Sequence, residues 1–208
     1  MKTAPRGAAG AVRIIGGRWR GTRLPVDDAP GLRPSSDRVR ETLFNWLGPM
    51  ITGARVVDLF AGTGALGLEA VSRGASSALL VERDARVAAR LNDTVSRLAA
   101  EDRVKVVQAD ALQWLAQQPP GSFDIAFLDP PFDSTLWSQA MALLLPAMAS
   151  GSLLYVESPH EQRDAQTAAP WLLHRQGSTR DVRFALYRKP GQRGADTLAH
   201  DDPAAASE

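Results

Sequence analysis

From Arg55 onward, short apolar strands alternate with helical patterns, which predicts an α/β protein with a doubly wound, mainly parallel sheet and right-handed crossovers. Two further observations agree. A glycine loop follows the first strand, and Asp58, Glu82, Asp110 and Asp129 each stand at a strand's carboxyl end, where such a sheet holds its ligand. The expected strands are 55–60, 78–82, 104–109, 123–128 and 152–157, with helices near 65–73, 85–99, 111–117 and 135–148. Segments 171–176 and 182–188 are expected to close one edge as an antiparallel hairpin.

A small, basic extension precedes this sheet. Val12-Arg13-Ile14-Ile15, Gly16-Gly17 and Arg18 to Pro25 predict a β-hairpin around a two-glycine turn, with Trp19 favoured as a packing residue over a base-stacking one. Ser35 or Ser36 caps a helix running from Asp37 to Leu47. Val39, Leu43, Trp46 and Leu47 share one face of it and are expected in the core, whereas Arg38 and Arg40 lie elsewhere and are expected to reach substrate. Residues 1–40 hold nine Lys or Arg against three Asp, a charge of +6; the whole chain is +1, so the remainder is −5. Such an asymmetry marks an arm that meets phosphate. Arg13, Arg18, Arg20, Arg33, Arg38 and Arg40 are its expected nucleic-acid contacts. The chain thus divides into a basic extension (1–50), a sheet domain (51–189) and a tail (190–208) whose lack of apolar periodicity predicts disorder.

Composition narrows the chemistry. At 208 residues and 44% hydrophobic content the chain can bury a sizeable core. It has no cysteine, which excludes a disulfide partner, a thiolate nucleophile and methylation through a cysteine adduct. His160, His174 and His200 are too scattered to suggest a metal set, so no metal is expected. The N-terminal stretch has no apolar core of a signal peptide and no run approaches spanning length, so no membrane partner and a cytoplasmic location are expected.

The loop Gly62-x-Gly64-x-x-Gly67 sits between an apolar strand and a helix, the unit of a Rossmann-like fold, and also satisfies the dinucleotide fingerprint. Asp58 decides between ligands. A carboxylate is repelled by a pyrophosphate but attracted by the ammonium and sulfonium of S-adenosylmethionine (SAM). Glu82 can accept from both ribose hydroxyls; Asp110 can receive the adenine amino group while the Ala111 N–H donates to its ring. Phe60 and Arg83, adjoining two of these strand ends, belong to the same expected cofactor set.

Asp129-Pro130-Pro131-Phe132 is expected to carry the reaction. The lone pair of an exocyclic amine is delocalised into its base and attacks poorly. The Asp129 carboxylate and the Pro130 carbonyl, on a backbone fixed by two successive rings, can accept both N–H groups and favour a pyramidal nitrogen aimed at the SAM methyl. Phe132 can stack on a base withdrawn from its own stack. The clamp serves N6 of adenine as well as N2 of guanine. An adenine N6-methyltransferase on DNA or RNA, a non-catalytic RNA-binding assembly factor and, third, an NAD-dependent oxidoreductase therefore stay open on the residues alone.

Residues 12–188 resemble the RsmD family of bacterial methyltransferases. The segments that carry the resemblance, in order, are Val12 to Gly21, Gly31 to Leu47, Asp58 to Ala70, Asp129 to Phe132 and Tyr155-Val156-Glu157. Ser178 to Tyr187 is more charged than the family pattern, and the tail is particular to this chain. The resemblance implies a Rossmann-like SAM-dependent fold and methylation of the exocyclic N2 of a guanine in 16S rRNA, the one conventionally numbered 966. It implies the partly or fully assembled small ribosomal subunit as substrate.

Overall fold

A computed structural model describes residues 11–26, 36–130, 134–160 and 170–191. Two short antiparallel strands, β1 (Ala11–Arg13) and β2 (Arg23–Pro25), precede α1 (Asp37–Leu47) and a short 3-10 turn at Gly48–Ile51. Then follow β3 (Arg55–Asp58), α2 (Ala65–Ser72), β4 (Ser77–Glu82), α3 (Ala85–Arg97), β5 (Val104–Gln108), α4 (Ala111–Leu115), β6 (Phe123–Leu128) and α5 (Ser134–Ala147). β7 (Met148–Pro159), β8 (Leu172–Ser178) and β9 (Val182–Arg188) complete the chain's regular elements among the described residues. The seven-stranded sheet has the order β5-β4-β3-β6-β7-β9-β8. β5 to β7 are parallel neighbours, and β9 runs antiparallel to both β7 and β8. The chain winds outward from β3 to β5 and then restarts on the other side with β6. The switch point lies between β3 and β6, where a doubly wound sheet opens a crevice at its carboxyl ends.

The sheet separates two apolar layers. Val56, Leu80, Phe127, Tyr155 and Leu186 meet α1 and α2 on one face, while Val57, Val81, Ala126, Leu128 and Val156 meet Trp137, Met141 and Leu144 of α5 on the other. Val12, Ile14, Trp19 and Leu24 belong to the first of these clusters, so the extension shares a core with the sheet. Trp19 is a packing residue, as expected, and Ser36 caps α1 by accepting from the Val39 N–H at 3.3 Å.

The hairpin differs from expectation at its turn. Its ladder ends early, and a loop over residues 14–22 is closed by Ile14 N–H to Thr22 O (2.9 Å) and Gly21 N–H to Ile14 O (2.8 Å). The two glycines serve a close approach instead. Gly17 has φ +75, and a Cβ on it would fall 1.9 Å from the Ser72 carbonyl oxygen at the end of α2. The expected strand 55–60 also stops at Asp58, because the backbone leaves the ladder for the glycine turn; Leu59 N–H still reaches Phe127 O at 3.2 Å. β7 begins four residues before expectation, since Met148 pairs with Phe123 ahead of an irregularity in register.

Candidate active site

Asp58, at the end of β3, is 2% exposed. Its Oδ2 accepts from the Gly67 N–H at 3.1 Å, which ties the strand end to the first turn of α2. Gly67 is required by packing, because a Cβ there would meet the Leu80 side chain at 2.2 Å. Burial is the main cause that raises the Asp58 carboxyl to about 7, opposed by the Gly67 and Phe60 N–H groups and assisted by the nearby charge of Glu82. A cation beside this carboxylate would offset the penalty of burying it. That is a fit to the ammonium and sulfonium of SAM and a misfit to a pyrophosphate.

Glu82, half-buried at the end of β4, braces the same loop: Oε2 accepts from Gly62 N–H at 3.0 Å and Oε1 from Asp84 N–H at 2.8 Å. A carboxylate has about four acceptor positions, so two remain for ribose hydroxyls. Gly62 and Gly64 both adopt positive φ, 49 and 74. Gly64 caps α2 without a side-chain bond of its own, and in the first turn Asp58 takes the Gly67 N–H. Asp110 is the N-cap of α4, taking Leu112 and Gln113 N–H groups on Oδ1, both at 3.1 Å. Its capping role is thus established in the fold, and Oδ2 faces no capping amide. Phe60 is half-buried and Arg83 exposed at their strand ends.

Asp129 follows β6 directly, across the switch point from Asp58, with Pro130 buried behind it. Pro131 and Phe132 lie outside the described residues, as does Arg33. Asp129 is felt by Tyr155, whose hydroxyl is held well above its ordinary value by burial first, then by Glu157, Asp129 and the hydrogen bond to Glu157. The sequence alone assigns no role to Tyr155 or Glu157; a carboxylate ending an apolar strand, as Asp58 does, is the signal that could have found the second.

The arm is anchored by residues to which the sequence alone also assigns no role. Glu69, fully buried in α2, accepts from Ile15 N–H (2.7 Å) and Gly16 N–H (2.8 Å) and pairs with Arg73 at 2.6 Å. Ser72 accepts from Trp19 N–H at 2.9 Å and donates to Gly16 O at 2.6 Å. Arg40 corrects an expectation. It is completely buried, donates to Arg13 O (2.8 Å) and Asp37 Oδ1 (2.7 Å), and lies 3.8 Å from Glu69, so it builds the arm and does not face a ligand. Helical position put it off the α1 apolar stripe, but the hairpin covers that side. Arg13, Arg18, Arg20 and Arg38 are exposed, Arg13 in a 3.5 Å pair with Asp37.

A family model described as conserved hypothetical protein 95 matches residues 12–188. The ribosomal RNA small subunit methyltransferase D of Escherichia coli K12 is 44% identical over 198 residues, 94% of this chain and 99% of that protein. The chain belongs to the RsmD family. The Haemophilus influenzae protein of the same name is 41% identical over 87% of this chain and 95% of its own. Among solved structures, a putative methyltransferase yhhF from Escherichia coli superposes with a TM-score of 0.77 and 45% identity, covering 88% of this chain and all of that one.

Proposed function

We propose that this RsmD-family protein methylates the exocyclic N2 of one guanine, guanine 966 in the conventional numbering, in the 16S rRNA of a partly or fully assembled small ribosomal subunit. The enzyme is a SAM-dependent methyltransferase of Rossmann-like fold. The observation that carries the reading is the pairing, across the switch point, of a buried Asp58 suited to a cation with Asp129-Pro130 suited to an amine. SAM supplies an electrophilic methyl group on a sulfonium. Asp58 holds the cofactor's cationic end, and Glu82, already bound to Gly62, holds the ribose. The Asp129 carboxylate and the Pro130 carbonyl accept the amine's N–H groups, so that the nitrogen lone pair is freed from the ring and directed. The proton leaves after transfer, when the nitrogen is cationic, so a strong general base is not required.

Transfer of labelled methyl from SAM to small subunits from cells lacking this gene, compared with naked rRNA, tests the proposal. N2-methylguanosine at one position, formed mainly in the particle, is expected. Methyladenosine, or no transfer to either substrate while SAM binds, would overturn it.

A further inference from the structure

The clamp at Asp129 recognises an amine and is indifferent to the base that bears it, yet a second carboxylate stands beside it. Glu157 lies two residues before the carboxyl end of β7, one residue beyond the Leu128–Val156 pair, so it stands beside Asp129, which follows the parallel strand β6. Neighbouring strands are about 4.8 Å apart. Side chains alternate along strands, and Phe127 and Tyr155 both enter the α1–α2 layer, so Asp129 and Glu157, two residues further on, turn to that same face. Glu157 is 5% exposed, and its Oε2 accepts from the Tyr155 hydroxyl at 2.8 Å. The displaced titration of Tyr155 keeps that hydroxyl a donor. It also registers both carboxylates at once.

We propose that Glu157 is the residue that reads guanine: it accepts the N1–H while Asp129 accepts from the N2 amine. Resting on the guanine assignment above, it names how the same site chooses its base. On the Watson–Crick edge of guanine the N2 amine is flanked by a protonated N1; on that of adenine the N6 amine is flanked by a bare N1 lone pair. Two acceptors side by side fit two adjacent donors. They oppose a donor beside an acceptor, because the adenine N1 lone pair would face an acceptor oxygen with no proton between them. Tyr155 orients that carboxylate and cannot replace it, since its hydroxyl proton is committed to Glu157.

The test uses small subunits reconstituted with either guanosine or 2-aminopurine riboside at the target position. 2-Aminopurine keeps the reacting N2 amine but carries no proton on N1. The wild-type protein should prefer guanine in kcat/KM by about 10⁴-fold, since a site built to bond an N–H rejects the analogue lacking it. Glu157→Gln, whose amide can donate to a bare N1, should narrow that preference at least about tenfold through its loss on guanine. An equal fall on both substrates, with the preference intact, would overturn the proposal and leave Glu157 a support of Asp129. Tyr155→Phe should lower turnover and retain the preference. If Glu157→Gln does not fold, as judged by SAM binding, a wild-type ratio near one suffices to refute the inference. Failure of the wild-type protein to methylate guanine at all would instead remove the parent reading.

Discussion

At Asp58 burial and charge are in direct conflict, and the conflict has a sign that can be measured. The carboxyl is raised from 3.8 to about 7, chiefly by burial, so in the cofactor-free protein the folded state holds this proton more tightly than the unfolded chain does. Its contribution to stability is therefore greatest below about pH 4 and declines as pH rises to about 7, beyond which it is level. A bound cation favours the ionised form. SAM affinity should rise with pH up to about 7 and then plateau, in calorimetric titrations across that range. Asp58→Asn should weaken SAM binding and abolish the step; an unchanged step in that variant would assign it to another group. Asp129 predicts the opposite split. Asp129→Ala should lower kcat by about 100-fold or more, the scale of losing one aimed electrostatic group, with SAM affinity largely retained. Retained methylation would remove Asp129 from the clamp.

The eight residues of α2 connect the two halves of the site. At its start Gly64 and Gly67 meet the cofactor loop and Asp58; at its end Glu69 and Ser72 hold the hairpin loop. Gly17 is the tightest point of that junction, with a positive φ and no room for a Cβ before the Ser72 carbonyl. Gly17→Ala should cost about 1–3 kcal/mol, a fall of several degrees in Tm by calorimetry, and should weaken subunit binding more than SAM binding. A neutral effect would mean that the loop reseats easily. The strand and helix sequence was readable almost to the residue in β6, β9 and α1, where apolar period and caps coincide. The Gly16-Gly17 hairpin turn was not readable, because a glycine pair signals both a tight turn and a close approach, and only the position of Ser72 in space distinguishes them. Asp58, Glu82 and Asp129 were legible as strand-end carboxylates because each closes an apolar run, Asp58 ahead of the glycine loop and Asp129 at a proline. The buried roles of Arg40 and Glu69 were not, because burial of a charge depends on partners 27, 53 and 54 residues away.

Over the whole molecule, charge is distributed so that one arginine count conceals two functions. The first 40 residues carry +6 against −5 for the rest, so a basic arm adjoins a body whose acidic strand ends favour a cationic cofactor. Arg18 and Arg20 are exposed and Arg40 is buried, so removal of each charge should be felt in different measurements. Arg18→Ala and Arg20→Ala should leave Tm nearly unchanged, weaken small-subunit binding and reduce the slope of log K against log salt by about one for each phosphate no longer neutralised. Arg40→Ala should do the reverse, costing about 3 kcal/mol because it leaves Glu69 with one fewer cation and the Arg13 carbonyl without its donor. Its salt slope should match the wild type wherever the protein remains folded. Equal salt slopes for all three variants would mean that the arm docks on RNA through shape or stacking and not through phosphate. A reduced slope for Arg40→Ala alone would mean that the hairpin's placement on α2 sets how many of the outer arginines reach the backbone at once.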